Sequence, residues 1–217
     1  MEFLTAYQKL VADSLTHLNQ GKSPVGLYQP IDYLLALGGK RLRPVLVLKS
    51  CEAVGKTAKE ALPAAQAVEV FHNFTLMHDD IMDKASMRRG AQTVHEKWDV
   101  NTAILSGDAM LVQAYLFLNG YEPKLFQSLT TLFSKTALEV CEGQQYDVDF
   151  GSRDDVRIED YLEMIRLKTA VLVGCAMQMG AAVGGATSKD AQQLYLFGEQ
   201  LGICLLYTSD AADDVHR

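Results

Sequence analysis

The chain has 217 residues, 20 of them Lys or Arg and 27 Asp or Glu, for a formal net charge of −7. That balance argues against a nucleic-acid binder, because gripping a phosphate backbone needs a basic footprint. With 48% apolar and 22% charged residues, and only 5 prolines and 16 glycines, the chain also falls outside the disordered and collagen-like classes and can fill a core.

In chain order, residues 2–18 place Leu4, Tyr7, Leu10, Val11, Leu15 and Leu18 at three- and four-residue spacing, which predicts a helix. A helix over 45–53 follows Pro44. A long one over 61–83 has Pro63 near its start, where proline is tolerated. Helices over 93–118 and 123–141 are separated by Asn119-Gly120, a stop signal, and segments 158–168, 169–183 and 188–203 complete the succession. Alternating β-type segments are scarce. Breaks at Gly38-Gly39, Gly90, Gly151 and Gly184-Gly185 are short, so the expectation is a single all-α bundle over residues 1–203.

Residues 169–188 carry no charge over a length that could span a membrane. Thr169, Gln178, Thr187 and Ser188, with glycines at 174, 180, 184 and 185, instead predict a buried helix packed closely through small residues, and no membrane span is expected. Cys51, Cys141, Cys175 and Cys204 form no C-x-x-C pair. With no secretory leader in the first ten residues, they predict reduced thiols in a cytoplasmic protein.

Three constellations carry chemistry. In Asp79-Asp80-Ile81-Met82-Asp83, Asp79 and Asp83 lie one helical turn apart and share a face, with Asp80 about 100° round. Two such carboxylates are either a solvated helix end or a cation site. Hard oxygen ligands of this kind suit Mg²⁺ shared with phosphates. The second constellation is Arg88-Arg89-Gly90, either surface decoration or a planar fork for anionic oxygens. The third, Gly38-Gly39-Lys40-Arg41-Leu42-Arg43-Pro44, sets three cations between a double glycine and a helix start, where N–H groups favour anions; it lacks Walker spacing. Six of the 20 basic residues (Lys40, Arg41, Arg43, Arg88, Arg89, Lys168) fall in these short motifs, which points to a strongly anionic substrate.

Taken together, GGKRLRP followed by FHNFTLMHDDIMDKASMRRG resembles the trans-isoprenyl diphosphate synthases, or polyprenyl synthetases. The resemblance extends through Glu142-Gly143-Gln144-Gln145-Tyr146-Asp147 and Lys168-Thr169 to Phe197-Gly198-Glu199-Gln200-Leu201-Gly202. It implies an isoprenoid synthase-type helical bundle around a central cavity and a homodimer. The implied reaction is Mg²⁺-dependent head-to-tail condensation of isopentenyl diphosphate with an allylic diphosphate. Asp79 and Asp83 would then hold the metal, with Asp80 supporting, and Arg88 would contact the allylic diphosphate. Lys40, Arg43, His72 and Arg89 would bind isopentenyl diphosphate. Lys168 and Thr169 would lie near the allylic diphosphate, and Gln144 and Asp147 would line the cavity. Phe74 and Thr75, just before the aspartates, would limit product length to C15–C20.

The chain departs from the family near its end. The family's second aspartate-rich motif would follow the FGEQLG segment, but Asp210, Asp213 and Asp214 read D-x-x-D-D, the reverse order. Because CLLYTSDAAD is similar to the translation of a sequencing-library adapter, residues 204–217 are expected to be a non-native tail on a C-terminally truncated, inactive and poorly stable chain. Two other classes share these features: a class I terpene cyclase, which has no use for the second diphosphate site, and a non-catalytic partner subunit of a synthase.

Overall fold

The structure, a computed structural model, describes the backbone of residues 2–16 and 18–213, with side chains for 4–16 and 18–204. Residues 204–217 therefore lie almost wholly outside the described side chains, Asp210, Asp213 and Asp214 included. The described chain is helical apart from one two-stranded hairpin. It divides into two compact units, Met1–Val45 with Leu62–Gly120, and Leu46–Ala61 with Tyr121–Arg217.

In the first unit, α1 (Glu2–Leu15), α2 (Val25–Ala36), α4 (Leu62–Met82) and α6 (Val100–Leu116) surround a core that includes Val11, Ile31, Leu34, Phe71, Met77 and Met110. Helix α3 (Leu42–Ala53) includes Pro44 in its first turn, so it begins three residues before the predicted start. The segment predicted as one helix over 93–118 is split. A short α5 (Val94–Lys97) ends at Trp98, which leaves the helical region (φ −114, ψ −96), and Asp99 restarts the chain by accepting the Thr102 N–H at 2.9 Å. Strands β1 (Met87–Arg88) and β2 (Ala91–Gln92) pair antiparallel, Arg88 opposite Ala91. Their turn places Arg89 at φ +53 and Gly90 at φ +78, the two positive values a tight primed turn requires. Helix α2 and this hairpin escape three- and four-residue pattern reading, the hairpin because each strand is only two residues long.

In the second unit, α7 (Pro123–Phe150) starts at a proline capped by Glu122, whose carboxylate accepts the Leu125 N–H at 2.7 Å, and it runs nine residues past its predicted end. Helix α8 (Ile158–Ile165), a π-helical turn at Arg166–Ala170 and α9 (Val171–Gly184) form one continuous helical segment that ends where Gly185 turns left-handed at φ +90. Ile158–Gly184 is long and apolar enough to cross a membrane by length and composition, but 78% of its most apolar window is buried inside the fold. Helix α10 (Ser188–Asp213) packs along α9. The four cysteines form no disulfide, and burial pushes the Cys175 thiol up to about 12.

The close packing expected of small residues is present. A Cβ on Gly198 would sit 2.9 Å from the Gly174 Cα and from the Val173 carbonyl oxygen, both backbone atoms. A Cβ on Gly202 would sit 2.7 Å from the Ala170 Cα. The glycines of FGEQLG, one turn apart, are therefore the contact line of α10 on α9 and the π turn that precedes it. Gly198→Ala cannot be absorbed by a rotamer change and must part the two helices. It should cost about 1–3 kcal/mol, and at roughly 2–4 °C per kcal/mol for a chain of this size it lowers the thermal midpoint by several degrees. A midpoint equal to wild type by calorimetry would show that the seam is loose.

Candidate active site

The first unit gathers the three constellations around α4. His72 and Asp79 lie two turns apart on nearly the same side of this helix, and Asp83 follows its last residue in a further helical turn, its N–H donating to the Asp79 carbonyl at 2.8 Å. Asp79 is half-buried and Asp83 exposed.

Asp80 faces elsewhere. It is 2% exposed, and the Arg88 guanidinium grips it with both prongs: Nε to Oδ1 and Oδ2 at 3.0 and 2.8 Å, Nη2 to Oδ1 at 2.8 Å. Such a forked, partly desolvated pair is among the stronger hydrogen-bonded contacts a protein makes. Asp80 therefore does not join Asp79 and Asp83 as a third oxygen donor; it fixes Arg88. The hairpin that presents Arg88 is itself braced. The Thr93 hydroxyl donates to the Ala85 carbonyl at 2.7 Å, the Tyr33 hydroxyl donates to the Gln92 carbonyl at 2.8 Å, and the Lys97 ammonium lies 3.8 Å from the Tyr33 ring centroid.

Arg89, at the hairpin tip, donates through Nη1 to the Gly38 carbonyl. A Cβ on Gly39 would meet the Arg89 guanidinium carbon at 2.8 Å, and Gly39 sits at φ +136. The backbone conformation calls for glycine there, while a side chain at this position would push the Arg89 guanidinium aside. Lys40 is exposed. Arg43 is half-buried and its Nη1 approaches His72 Nε2 at 3.2 Å. Burial, reinforced by the cationic Arg43, Arg89, Arg88 and Arg41, holds the His72 imidazole well below its ordinary 6.5. The ring is thus neutral near pH 7, accepts from Arg43 at Nε2 and carries its proton on Nδ1.

Arg41, counted by sequence among the ligand-type cations, is instead 8% exposed and paired with Glu69, Nη1 to Oε1 at 2.7 Å. Glu69 and its partner Asn73 are site residues that sequence reasoning missed. The signal was available: a lone charge in the apolar run Val68-Glu69-Val70-Phe71 predicts a buried ion pair. Phe74 is 9% exposed and packs between the rings of Phe71 and His78, at centroid distances of 5.5 and 4.8 Å. Thr75 is half-buried, and its hydroxyl donates to the His72 carbonyl at 2.8 Å.

The second unit brings together the other four predicted residues. Lys168 and Thr169 sit in the π-helical turn, and Lys168 Nζ donates to Asp147 Oδ2 at 2.5 Å. Gln144 lies one turn earlier on α7. Between Gln144 and the apolar part of α7 is Gly143, where a Cβ would run into the Leu167–Lys168 backbone. The glycine lets α7 touch the π turn, and the π turn offsets the helix so that Lys168 meets Asp147. One-turn π segments of this kind recur at functional sites. Arg166, at the start of the turn, ties it to α8 and α10 through Glu163 (2.7 Å) and Glu199 (2.9 Å).

Residues 24–215 match the polyprenyl synthetase family. The chain is 44% identical over 192 residues to the geranylgeranyl diphosphate synthase of Methanosarcina mazei, covering 88% of this chain and 59% of that one. It is 39% identical over 214 residues to the geranylgeranyl pyrophosphate synthase of Geoglobus acetivorans, covering 98% of this chain and 67% of that one. It superposes with a TM-score of 0.93 on a crystal structure of a geranylgeranyl pyrophosphate synthase, 55% identical, with 95% of this chain and 63% of the other covered. The chain thus spans about three fifths of the length of the Methanosarcina enzyme. Sequence motifs, helical architecture and these likenesses converge, and the chain belongs to the polyprenyl synthetase family.

Proposed function

We propose that the chain carries the diphosphate-binding machinery of a prenyl diphosphate synthase, joining isopentenyl diphosphate head-to-tail to an allylic diphosphate to give a C15–C20 product. The observation that carries this reading is the division of charge around α4. Two buried carboxylates, Glu69 and Asp80, each hold one arginine, while Arg43 leans on His72, which shares a side of α4 with Asp79, and Arg89 reaches the loop that carries Lys40. The names of the relatives, geranylgeranyl diphosphate synthases among them, favour a twenty-carbon product. A cytoplasmic homodimer belongs to the same reading.

Mg²⁺ fits the carboxylate pair. Among the described residues no three His, Cys, Asp or Glu side chains form a closed cage. Two hard carboxylates with an open remainder are how Mg²⁺ is held alongside waters and substrate phosphates. Asp79 and Asp83 would hold the ion, which when bound would supply positive charge to offset that developing on the departing diphosphate. The protein's own groups do the rest. Arg88, oriented by Asp80, is aimed as a fixed cation at the allylic diphosphate, so no reorganisation is needed as the C–O bond breaks and its electron pair leaves with the phosphate. The isopentenyl double bond then bonds to the allylic carbon, and the resulting cation gives a proton to the released diphosphate. Lys40, Arg43 and Arg89 anchor the isopentenyl diphosphate. Neutral His72 supports Arg43 without adding charge, and its Nδ1–H is a further donor. Lys168 with Thr169, braced by Asp147, and Gln144 serve the allylic substrate.

The test is incorporation of labelled isopentenyl diphosphate, with the chain alone and with the chain extended by the remainder of the Methanosarcina relative. Prenyl diphosphate should form only when both substrates are present. Product from the allylic substrate alone would replace this reading with a terpene cyclase. In the active form, Asp79→Ala or Asp83→Ala should lower kcat by at least about a hundredfold, with the unfolding midpoint nearly unchanged. Near wild-type turnover at saturating Mg²⁺ would remove the metal assignment.

A third expectation concerns pH. Folding depresses the His72 pKa below 6.5, so between the two values the unfolded chain binds more protons than the folded one. Its contribution to stability is therefore complete above the unfolded value and is lost as pH falls through the window below about 6.5. His72→Gln should flatten the dependence of the thermal midpoint on pH there; an unchanged slope would mean the imidazole is not held neutral. Finally, Phe74→Ala should lengthen the product by at least one five-carbon unit, since Phe74 and Thr75 stand one turn ahead of Asp79 along the proposed path of the growing chain. Unchanged chain length with retained activity would free Phe74 of that role and leave it a core residue.

A further inference from the structure

The loop 38–41 has no regular backbone hydrogen-bonding pattern, and Gly38, Gly39 and Arg41 all adopt positive φ (+75, +136 and +49). It is not wedged in place from behind. A cavity of about 590 Å³ backs onto it, bounded by Thr5, Gln8 and Lys9 of α1 and by Asp32 and Leu35 of α2. Across this space the Gln8 amide donates to the Lys40 carbonyl at 2.7 Å. From the hairpin side, Arg89 reaches the Gly38 carbonyl. One tie is made by the half-buried Gln8 and the other by the exposed Arg89, and a single hydrogen bond of this kind is weak on its own.

The buried anchor is Arg41. Its guanidinium turns inward and spans two elements, Nη1 to Glu69 Oε1 on α4 at 2.7 Å and Nη2 to the Leu35 carbonyl near the end of α2 at 2.6 Å. Glu69 is in turn fixed by Asn73, whose Nδ2 donates to its Oε1 at 3.0 Å and to its carbonyl at 2.8 Å. Arg41 also begins α3, since its carbonyl accepts the Val45 N–H at 3.3 Å. The left-handed backbone at Arg41 sends its side chain inward while Lys40 stays exposed and Arg43 reaches His72.

We infer that Arg41 is a positioning residue, not a substrate ligand: with Glu69 and Asn73 it fixes the loop that presents Lys40 and Arg43 to a diphosphate. The affinity consequence rests on the diphosphate reading above; the fixing of the loop does not. Lysine cannot replace it, because a single ammonium lacks the planar fork that reaches Glu69 and the Leu35 carbonyl together. A loosened loop must be ordered again on binding, which weakens affinity although neither ligand side chain has changed.

The experiment uses the full chain, inorganic diphosphate as the probe in titration calorimetry, and two variants. Arg41→Lys keeps the net charge. Arg41→Met combined with Glu69→Gln removes both charges of the pair and keeps an acceptor for Asn73, so no buried charge is stranded. Both variants should bind diphosphate at least about tenfold more weakly than wild type, the loss of two pre-ordered cationic side chains. Hydrogen exchange provides the second readout. Amides of residues 38–43 should exchange at least about tenfold faster in Arg41→Lys while those in the middle of α4 stay protected. Wild-type affinity in both variants, or unchanged exchange in the loop, overturns the inference. Should wild type itself fail to bind diphosphate, the diphosphate reading falls and loop exchange alone decides whether Arg41 positions the loop.

Discussion

Like charges crowded on one side of a helix must be balanced from beneath, and in the first unit this constraint determines most of the local structure. Glu69 and Asp80 are eleven residues apart on α4, which brings them to within about 20° of each other around the helix. Each is almost fully buried and each binds one guanidinium, Arg41 from the basic loop and Arg88 from the hairpin. Breaking such a pair on one side strands a buried charge, at a cost of about 3–5 kcal/mol, so loop and hairpin are both tied to the same helix. Arg43 leans instead on His72 Nε2, and Arg89 on the Gly38 carbonyl. Burial, with the fields of Arg43, Arg89, Arg88 and Arg41 added to it, denies His72 a proton.

The second unit solves a different problem, how to bring backbones close enough that a short polar pair forms at a defined place. Gly143 removes the side chain that would separate α7 from the π turn, Gly202 does so between α10 and the π turn, and Gly174 and Gly198 between α9 and α10. Small residues here are not flexible points. They are the positions at which helices touch, and the Lys168–Asp147 contact depends on that proximity.

Much of this was legible in the sequence because it repeats at a helical period or falls in a short motif. The long α4, the buried uncharged α9 and the shared side of Asp79 and Asp83 all follow from spacing alone. What was not legible depends on partners distant in the chain. Arg41 and Arg43 are two residues apart in one basic motif, and nothing local tells that one is sunk against Glu69 and the other leans on His72. Asp80 looked like a weaker copy of its neighbours until the hairpin placed Arg88 against it. The break at Trp98 and Asp99 was hidden by apolar residues that keep a helical period on both sides of it. The long reach of α7 to Phe150 was hidden by the polar run through Gln144 and Gln145, where the apolar stripe fades although the helix continues to its cap at Gly151.

Among the described residues, the non-glycine positions with left-handed backbone are Arg41, Lys84 and Arg89, and two of them are cations of the basic loop and the hairpin. Asparagine or glycine would sit there with less strain. A search for thermostable variants guided by backbone preference would therefore select Arg41 and Arg89 early, and the gain in heat resistance would come with the loss of the arrangement that holds the loop and hairpin together. For this fold, a directed-evolution screen that scores only survival after heating will discard the contacts of Arg41 and Arg89 unless those two codons are held fixed.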